Sequence, residues 1–334
     1  MKTKIVYVVV SDETDIFLEQ ALLSIFSLRK HNPDAYVELV IDQDTNDSIT
    51  GKRNEIKRIV DQITSVEVPD NYHKGQRSRW IKTNLRNLIE GDFLFIDTDT
   101  IITDSLDEID NFDGDIGAVK DKHAPVKYNK DKKKLRLWSK QDGWTYSEDL
   151  VYFNSGVMYV RDCEFAHEFF REWNKRWQNC STLYNRFYDQ SLFAATNEYF
   201  HYPIKELVGE WNCQPTNGLS YLYKAKIMHY WGYNRNDYAW TFYDKSIIRE
   251  IKESGFISKS TSNLVDKAKE AFIIPNEIIA GKELEVYYSP IFQVCTSYNI
   301  VFSIFNGLAK FLLRSLRIRH RICTKIKHLF KFKQ

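Results

Sequence analysis

The segment Asp92-Phe93-Leu94-Phe95-Ile96-Asp97-Thr98-Asp99-Thr100-Ile101-Ile102 is a short apolar run that stops at two carboxylates one residue apart. Such a run reads as a fully buried strand, with Asp97 and Asp99 at its carboxyl end. In an open α/β sheet that end faces the ligand crevice. Paired carboxylates there suit a hard divalent cation, magnesium or manganese, whose remaining positions are filled by substrate phosphates. Alone, Asp-Thr-Asp reads equally as turn chemistry, with side chains capping backbone amides.

Upstream, Ile5 to Val10 is a second continuous apolar strand. Phe17 to His31 carries apolar residues at 18, 21, 22, 25 and 28 and ends before Pro33, which predicts a helix with one core-facing side. Tyr36 to Ile41 reads as the next strand, Ile56, Ile59, Val60 and Ile63 as a helical period, Val66 and Val68 as a third strand, and Trp80 to Ile89 as a helix leading into the Asp97 strand. Strands alternating with helices predict a mostly parallel, Rossmann-like α/β sheet with flanking helices. No G-x-G-x-x-G and no G-x-x-x-x-G-K-[ST] loop is present, which argues against a dinucleotide dehydrogenase or a P-loop enzyme.

The 334 residues suffice for one large domain with an appended piece. Five cysteines without a C-x-x-C pair argue against a disulfide framework or a cysteine-rich zinc site and point to a reducing compartment. The apolar run after Met1-Lys2-Thr3-Lys4 is too short for a signal peptide and reads as the first strand. The net charge of +2 hides a division: the last acidic residue is Glu285, and residues 286 to 334 carry nine Lys or Arg. The rest of the chain holds 38 basic against 45 acidic residues. In the tail, Ile300, Phe302, Ile304, Phe305, Leu308, Phe311 and Leu312 interleave with Lys310, Arg314, Arg317 and Arg319 at helical spacing, too polar to span a bilayer. That pattern suits a helix lying on an anionic membrane surface, with a solvated basic helix or a nucleic-acid patch as alternatives. The membrane reading is preferred and no nucleic acid is expected. The expected divisions are 1–245 for the sheet domain, 246–289 for a helical extension and 290–334 for the basic tail.

A first strand ending in Ser11-Asp12, then Ser78-Arg79-Trp80-Ile81-Lys82, Asp97-Thr98-Asp99, Phe153-Asn154-Ser155-Gly156-Val157, Asp189-Gln190 and His229-Tyr230-Trp231-Gly232 occur in that order. Over about residues 4 to 240 the chain thereby resembles family eight glycosyltransferases, retaining nucleotide-sugar enzymes of the GT-A fold. The resemblance implies that Asp97, Asp99 and His229 bind manganese (magnesium being the alternative) on the donor diphosphate, with Arg79 beside it and Thr98 in the same motif. It implies that Asn154 bonds the donor sugar, that Asp189 and Gln190 line its pocket, and that Val10, Ser11 and Asp12 hold the base and ribose of a uridine nucleotide. Two departures stand out. Ser191 replaces a family acid after the glutamine, and beyond Gly232 a Lys-Pro-Trp segment is missing, with Arg235 the candidate substitute for its lysine.

Each assignment has a plain structural rival. His229 in a strand-like run faces either a ligand or a hydrogen-bonded core; an imidazole ligand favours manganese over magnesium. Arg79 sits among Lys74, Arg77 and Lys82, which reads as a solvated face. Asn154 and Gly156 mark a β-bulge, which re-aims side chains beside active sites. Capping fully explains Asp189 at the start of a helix reaching about Asn197. The charged, aromatic-flanked stretch Lys127 to Lys140 reads as a solvated loop or as a lid over the acceptor.

The expected activity is metal-dependent, retaining transfer of glucose or galactose from a UDP-sugar to a glycan or lipid-linked glycan, in polysaccharide or lipopolysaccharide synthesis at the cytoplasmic face of a membrane. Gln190 is a weak nucleophile, so front-face substitution is expected, with Gln190, Asp189 and Arg79 as the catalytic group. The alternatives are an inverting enzyme with Asp149 or Glu148 as base, and an inactive nucleotide-sugar or membrane-surface binding protein.

Overall fold

A computed structural model describes residues 1–129, 131–184, 186–215, 221–230 and 245–271, with 290, 300, 301, 303–312, 314 and 315 of the tail. The chain divides into two compact units, Met1–Phe272 and Ile273–Gln334.

In the first unit, β1 (Lys4–Val9), α1 (Phe17–His31), β2 (Val37–Asp42), α2 (Gln43–Ser48), β3 (Gln62–Val66), α3 (Lys74–Asn84) and β4 (Phe93–Ile96) form the expected alternation. They are followed by β5 (Thr100–Ile102), β6 (Ile116–Lys120), α4 (Lys132–Asp142), β7 (Phe153–Val160), α5 (Glu164–Tyr184), α6 (Gln190–Tyr199), β8 (Lys205–Glu206), β9 (Ile227–His229), α7 (Lys245–Ser254) and α8 (Lys259–Asp266). The seven-stranded sheet has the order β3-β2-β1-β4-β7-β6-β8, and only β7 runs antiparallel to its neighbours. This is the mostly parallel α/β sheet that the alternation predicts.

Side-chain alternation explains why β1 and β4 read as unbroken apolar runs. Ile5, Tyr7 and Val9 join Leu94 and Ile96 in the core under α1, α7 and α8. Val6, Val8 and Val10 join Phe93 and Phe95 in the core under α3 and α5, which contributes Phe169, Phe170, Trp173 and Trp177. Both faces are covered, so neither side of these strands is polar.

Three local expectations need correction. The stretch from Ile56 to Ile63 is not a helix: a 3-10 turn ends at Arg58, and Ile63 lies in the edge strand β3. The helix before β4 starts at Lys74, where His73 caps the Gln76 amide, and it loosens into a 3-10 turn over Leu85–Asn87. The Lys127–Lys140 stretch is no open loop, because α4 packs Leu135 with Val126, Trp144 and Tyr152 in a small core of its own.

In the second unit, residues 303–312 are helical and expose Ile304, Phe305, Leu308, Phe311 and Leu312. Among the described residues no helix is long and apolar enough to cross a membrane.

Candidate active site

Asp97 leaves the end of β4, where its amide donates to the Gly156 carbonyl at 2.7 Å. The strand pair β5–β9 brings residue 229 alongside, with Thr100 opposite His229 and the Tyr230 amide donating to Asp99 O at 2.9 Å. The result is a cluster in which one ligand atom each from Asp97, Asp99 and His229 lies within 4.8 Å of the others. His229 Nε2 stands 3.1 Å from Asp99 Oδ1 and 4.0 Å from Asp97 Oδ2. The other ring nitrogen, Nδ1, donates to Asn212 Oδ1 at 3.0 Å. That bond fixes the ring and leaves Nε2 aimed at the carboxylates, the usual arrangement behind a histidine ligand. The donor set therefore fits a divalent ion of the manganese type.

Charge is finely divided here. Burial pushes the Asp97 carboxyl above its ordinary range, and repulsion from Asp99 adds to this. Burial acts on Asp99 in the same direction but is outweighed by His229, so Asp99 lies below the ordinary range. Burial disfavours charge on His229, yet Asp99 and Asp97 outweigh it and raise the imidazole. A divalent cation bound here would compete with protons for the same ligand atoms.

Gly156 allows the close approach. A Cβ at this position would meet His229 Cε1 and would lie 2.9 Å from Asp97 Oδ2. The predicted bulge is present: along β6, Ala118 pairs with Met158 but Val119 already pairs with Asn154, so residues 155–157 are extra. Asn154 is buried and bound to protein: Nδ2 donates to Asp121 Oδ1 at 3.1 Å, while Oδ1 accepts from the Gly156 amide and Asn212 Nδ2, both at 2.9 Å.

Asp189 does not cap α6, since its side chain makes no bond to the helix amides. Instead Arg79 Nε reaches Asp189 Oδ1 at 3.0 Å, and Ser155 Oγ donates to Oδ2 at 2.9 Å. Lys82, 4% exposed at its side chain, lies 3.4 Å from Asp189 Oδ2 and 3.2 Å from Asp97 Oδ1. Burial opposes the Asp189 charge, but Lys82 and Arg79 prevail and hold its pKa at about 2. The Trp173 indole fixes the backbone here by donating to Asp189 O at 3.1 Å. Gln190 Oε1 accepts from the Ser155 amide at 3.4 Å.

Of these groups, Arg79, Lys82, Asp97, Asn154, Asp189, Gln190 and His229 line one cavity of about 240 Å³, which also receives Asp121, Lys122, Lys134 and Trp138. Lys82 and Asp121 are among the members that sequence reasoning missed, as are Lys122, Tyr152 and Tyr188. Asp121 is aimed inward by a turn in which Lys122 and His123 both adopt positive φ, 56° and 55°. Burial raises its carboxyl against the bonds from Asn154 and Asn129. Val10, Ser11 and Asp12 lie in the loop after β1, away from this lining; the Ser11 amide donates to Thr45 Oγ1 at 2.9 Å, and Asp12 pairs with Lys74. Thr98 lies between the two ligand aspartates and is half-buried. Gly232 and Arg235 lie outside the described residues. Asp149 is exposed and paired with Lys127 at 2.7 Å, and neither it nor Glu148 lines the cavity, so neither is placed as the base of an inverting reaction. Ser191 is buried, accepts from Trp144 Nε1 at 3.0 Å and bonds to the Asp142 carboxylate of α4, which also pairs with Arg186.

The sequence profile of Glycosyl transferase family 8 matches residues 8–235. The chain belongs to this family. It is a glycosyltransferase with a GT-A sheet, and the profile spans every motif from Ser11-Asp12 to His229-Tyr230-Trp231-Gly232. No curated protein matches the chain in sequence. Among solved structures, an active-site variant of LgtC is 16% identical over 77% of this chain and 98% of its own, with a TM-score of 0.51, a likeness of fold. The galactosyltransferase LgtC in complex with donor and acceptor sugar analogs is 16% identical over 78% of this chain and 99% of its own, at 0.49. The glycosyltransferase GlyE of Streptococcus pneumoniae is 15% identical over 81% and 65%, at 0.47.

Proposed function

We propose that the chain transfers a hexose, glucose or galactose, from a UDP-sugar to a glycan or glycolipid acceptor with retention of configuration and in dependence on manganese. The observation that carries this is the Asp97, Asp99 and His229 triad, two of whose members, Asp97 and His229, line the same cavity as Arg79, Lys82, Asp189 and Gln190. When bound, the ion supplies Lewis-acid charge to a departing diphosphate. Arg79 and Lys82 add positive charge on the same side, where charge develops as the sugar leaves.

Asp189 is a poor nucleophile, because Arg79, Lys82 and Ser155 occupy its oxygens. Gln190 is weaker still. The reading is therefore front-face substitution, in which the leaving phosphate takes the acceptor proton and Asp189 and Gln190 steady the positively charged sugar. The test is UDP release from UDP-glucose and UDP-galactose, with and without manganese, for the wild type and for Asp97→Ala with Asp99→Ala. Manganese-dependent release that the double substitution reduces by roughly a thousandfold is expected, the loss of several kcal/mol of charge stabilisation. Metal-dependent UDP binding with no release from either donor would favour a binding protein instead.

We further propose that the tail carries the enzyme to the inner face of a membrane, in the cytoplasm, for polysaccharide or lipopolysaccharide synthesis. The acid-free run from residue 286 and the exposed apolar residues of 303–312 support this. Co-sedimentation with anionic but not zwitterionic vesicles is expected, and binding that survives removal of residues 290–334 would exclude it.

A further inference from the structure

Four basic side chains line the cavity, and three of them face carboxylates. Arg79 is paired with Asp189, Lys82 with Asp97 and Asp189, and Lys122 with Asp131. Lys134 of α4 differs. It has no ion pair among the described residues, and its ammonium lies 4.4 Å from the ring centre of Trp138 and 5.2 Å from that of Tyr188. The two rings pack 5.1 Å apart at 34°, so they form one surface. Aromatic faces hold a cation in place without neutralising it. Lys134 and Tyr188 are exposed whereas Gly156 and His229 are buried, which puts this uncompensated charge on the solvent side of the cavity, opposite in character to the metal triad.

We propose that the acceptor carries a carboxylate or phosphate and that Lys134, fixed by Trp138 and Tyr188, binds it; this rests on the glycosyltransferase reading above. In that reading the diphosphate of the donor meets the ion and Lys82 at the buried side. A second fixed cation at the entrance is then left for the partner that arrives from solvent. A charge-assisted bond at a partly desolvated position discriminates between a charged and a neutral ring by about tenfold.

The experiment is a ligand-observed NMR titration of the full chain, loaded with manganese and UDP, with methyl β-glucoside, methyl β-glucuronide and glucose 6-phosphate. At least one anionic sugar should bind about tenfold more tightly than the neutral one. Lys134→Gln should bring the ratio close to one. Lys133→Gln, an exposed neighbour outside the cavity lining, should keep it. Equal binding of all three, binding of none, or a preference that survives Lys134→Gln overturns the proposal. A parallel titration with UDP-glucose and UDP-glucuronate locates the charge: if Lys134→Gln alters discrimination between these donors instead, the acceptor assignment is wrong. Absence of metal-dependent UDP binding by the wild type marks failure of the underlying reading, and is seen before any acceptor is added.

Discussion

On the buried side of the cavity, Asp97, Gly156 and His229 are held by strand pairing and backbone hydrogen bonds of β4, β7 and β9. On the solvent side, α4 is fastened by side chains, through the packing of Leu135 and the bonds from Asp142 to Ser191 and Arg186. Backbone pairing sets positions to a fraction of an ångström and is indifferent to most side-chain changes elsewhere. Side-chain fastening lets a helix change its exposed face without disturbing the sheet. On the proposed reading the two walls divide the work, with the metal ligands on the sheet wall and acceptor selectivity on α4, and substitutions should separate them.

The largest effect is expected at Lys82→Met. It leaves Asp97 and Asp189 facing each other without the cation they share, and removing one partner of a buried ion pair costs about 3 kcal/mol. Urea unfolding of the metal-free protein should show that loss, and added manganese should restore part of it. An unchanged midpoint would mean that the buried wall does not depend on charge balance. Next is Gly156→Ala. The added methyl group must displace His229 or Asp97, and a shift of this size costs roughly a hundredfold in rate, read as UDP release at saturating manganese. Asn212→Ala then loosens the His229 ring without touching the carboxylates; manganese affinity, followed by electron paramagnetic resonance, should fall roughly tenfold or somewhat more. If Asn212→Ala matches Gly156→Ala in effect, ring orientation rather than space governs the site.

The sheet wall was legible because its signals are local. An apolar run ending in Asp97 and Asp99 is a strand meeting a crevice, and the resemblance supplied Asn154 and His229 on the sheet and Gln190 at the start of α6. What escaped, or was assigned through the resemblance alone as Arg79 and Asp189 were, depends on contacts between distant elements. Arg79 and Lys82 are three apart and share a face of α3, so both reach Asp189; their neighbours Lys74 and Arg77 made the whole face look solvated. Asp189 occupies a cap position without capping, a distinction visible only once Ser155 is seen opposite. Asp121 is aimed by left-handed backbone at Lys122 and His123, where no glycine announces such a turn. Asn212 is one asparagine in a 3-10 turn with nothing to mark it. The lysine-rich run of α4 has the composition of a surface loop, and only its packing on α6 reveals a wall.

The smallest effect, and the one that isolates the helix wall, is expected at Ser191→Ala. Its hydroxyl joins the Trp144 indole to the Asp142 carboxylate in a buried position, so removal leaves a donor and an acceptor unpaired. The cost should be about 1–2 kcal/mol, because Arg186 still neutralises Asp142 and the cavity left is that of a single oxygen. That loss is local to the fastening of α4. Strand pairing around Asp97 and His229 contains no Ser191 contact, so UDP release by water should stay as it is while the anionic-acceptor affinity falls. A matching fall in UDP release would show that α4 also holds Gln190 in place, and the division between the metal ligands on the sheet wall and selectivity on α4 would have to be redrawn at residue 190.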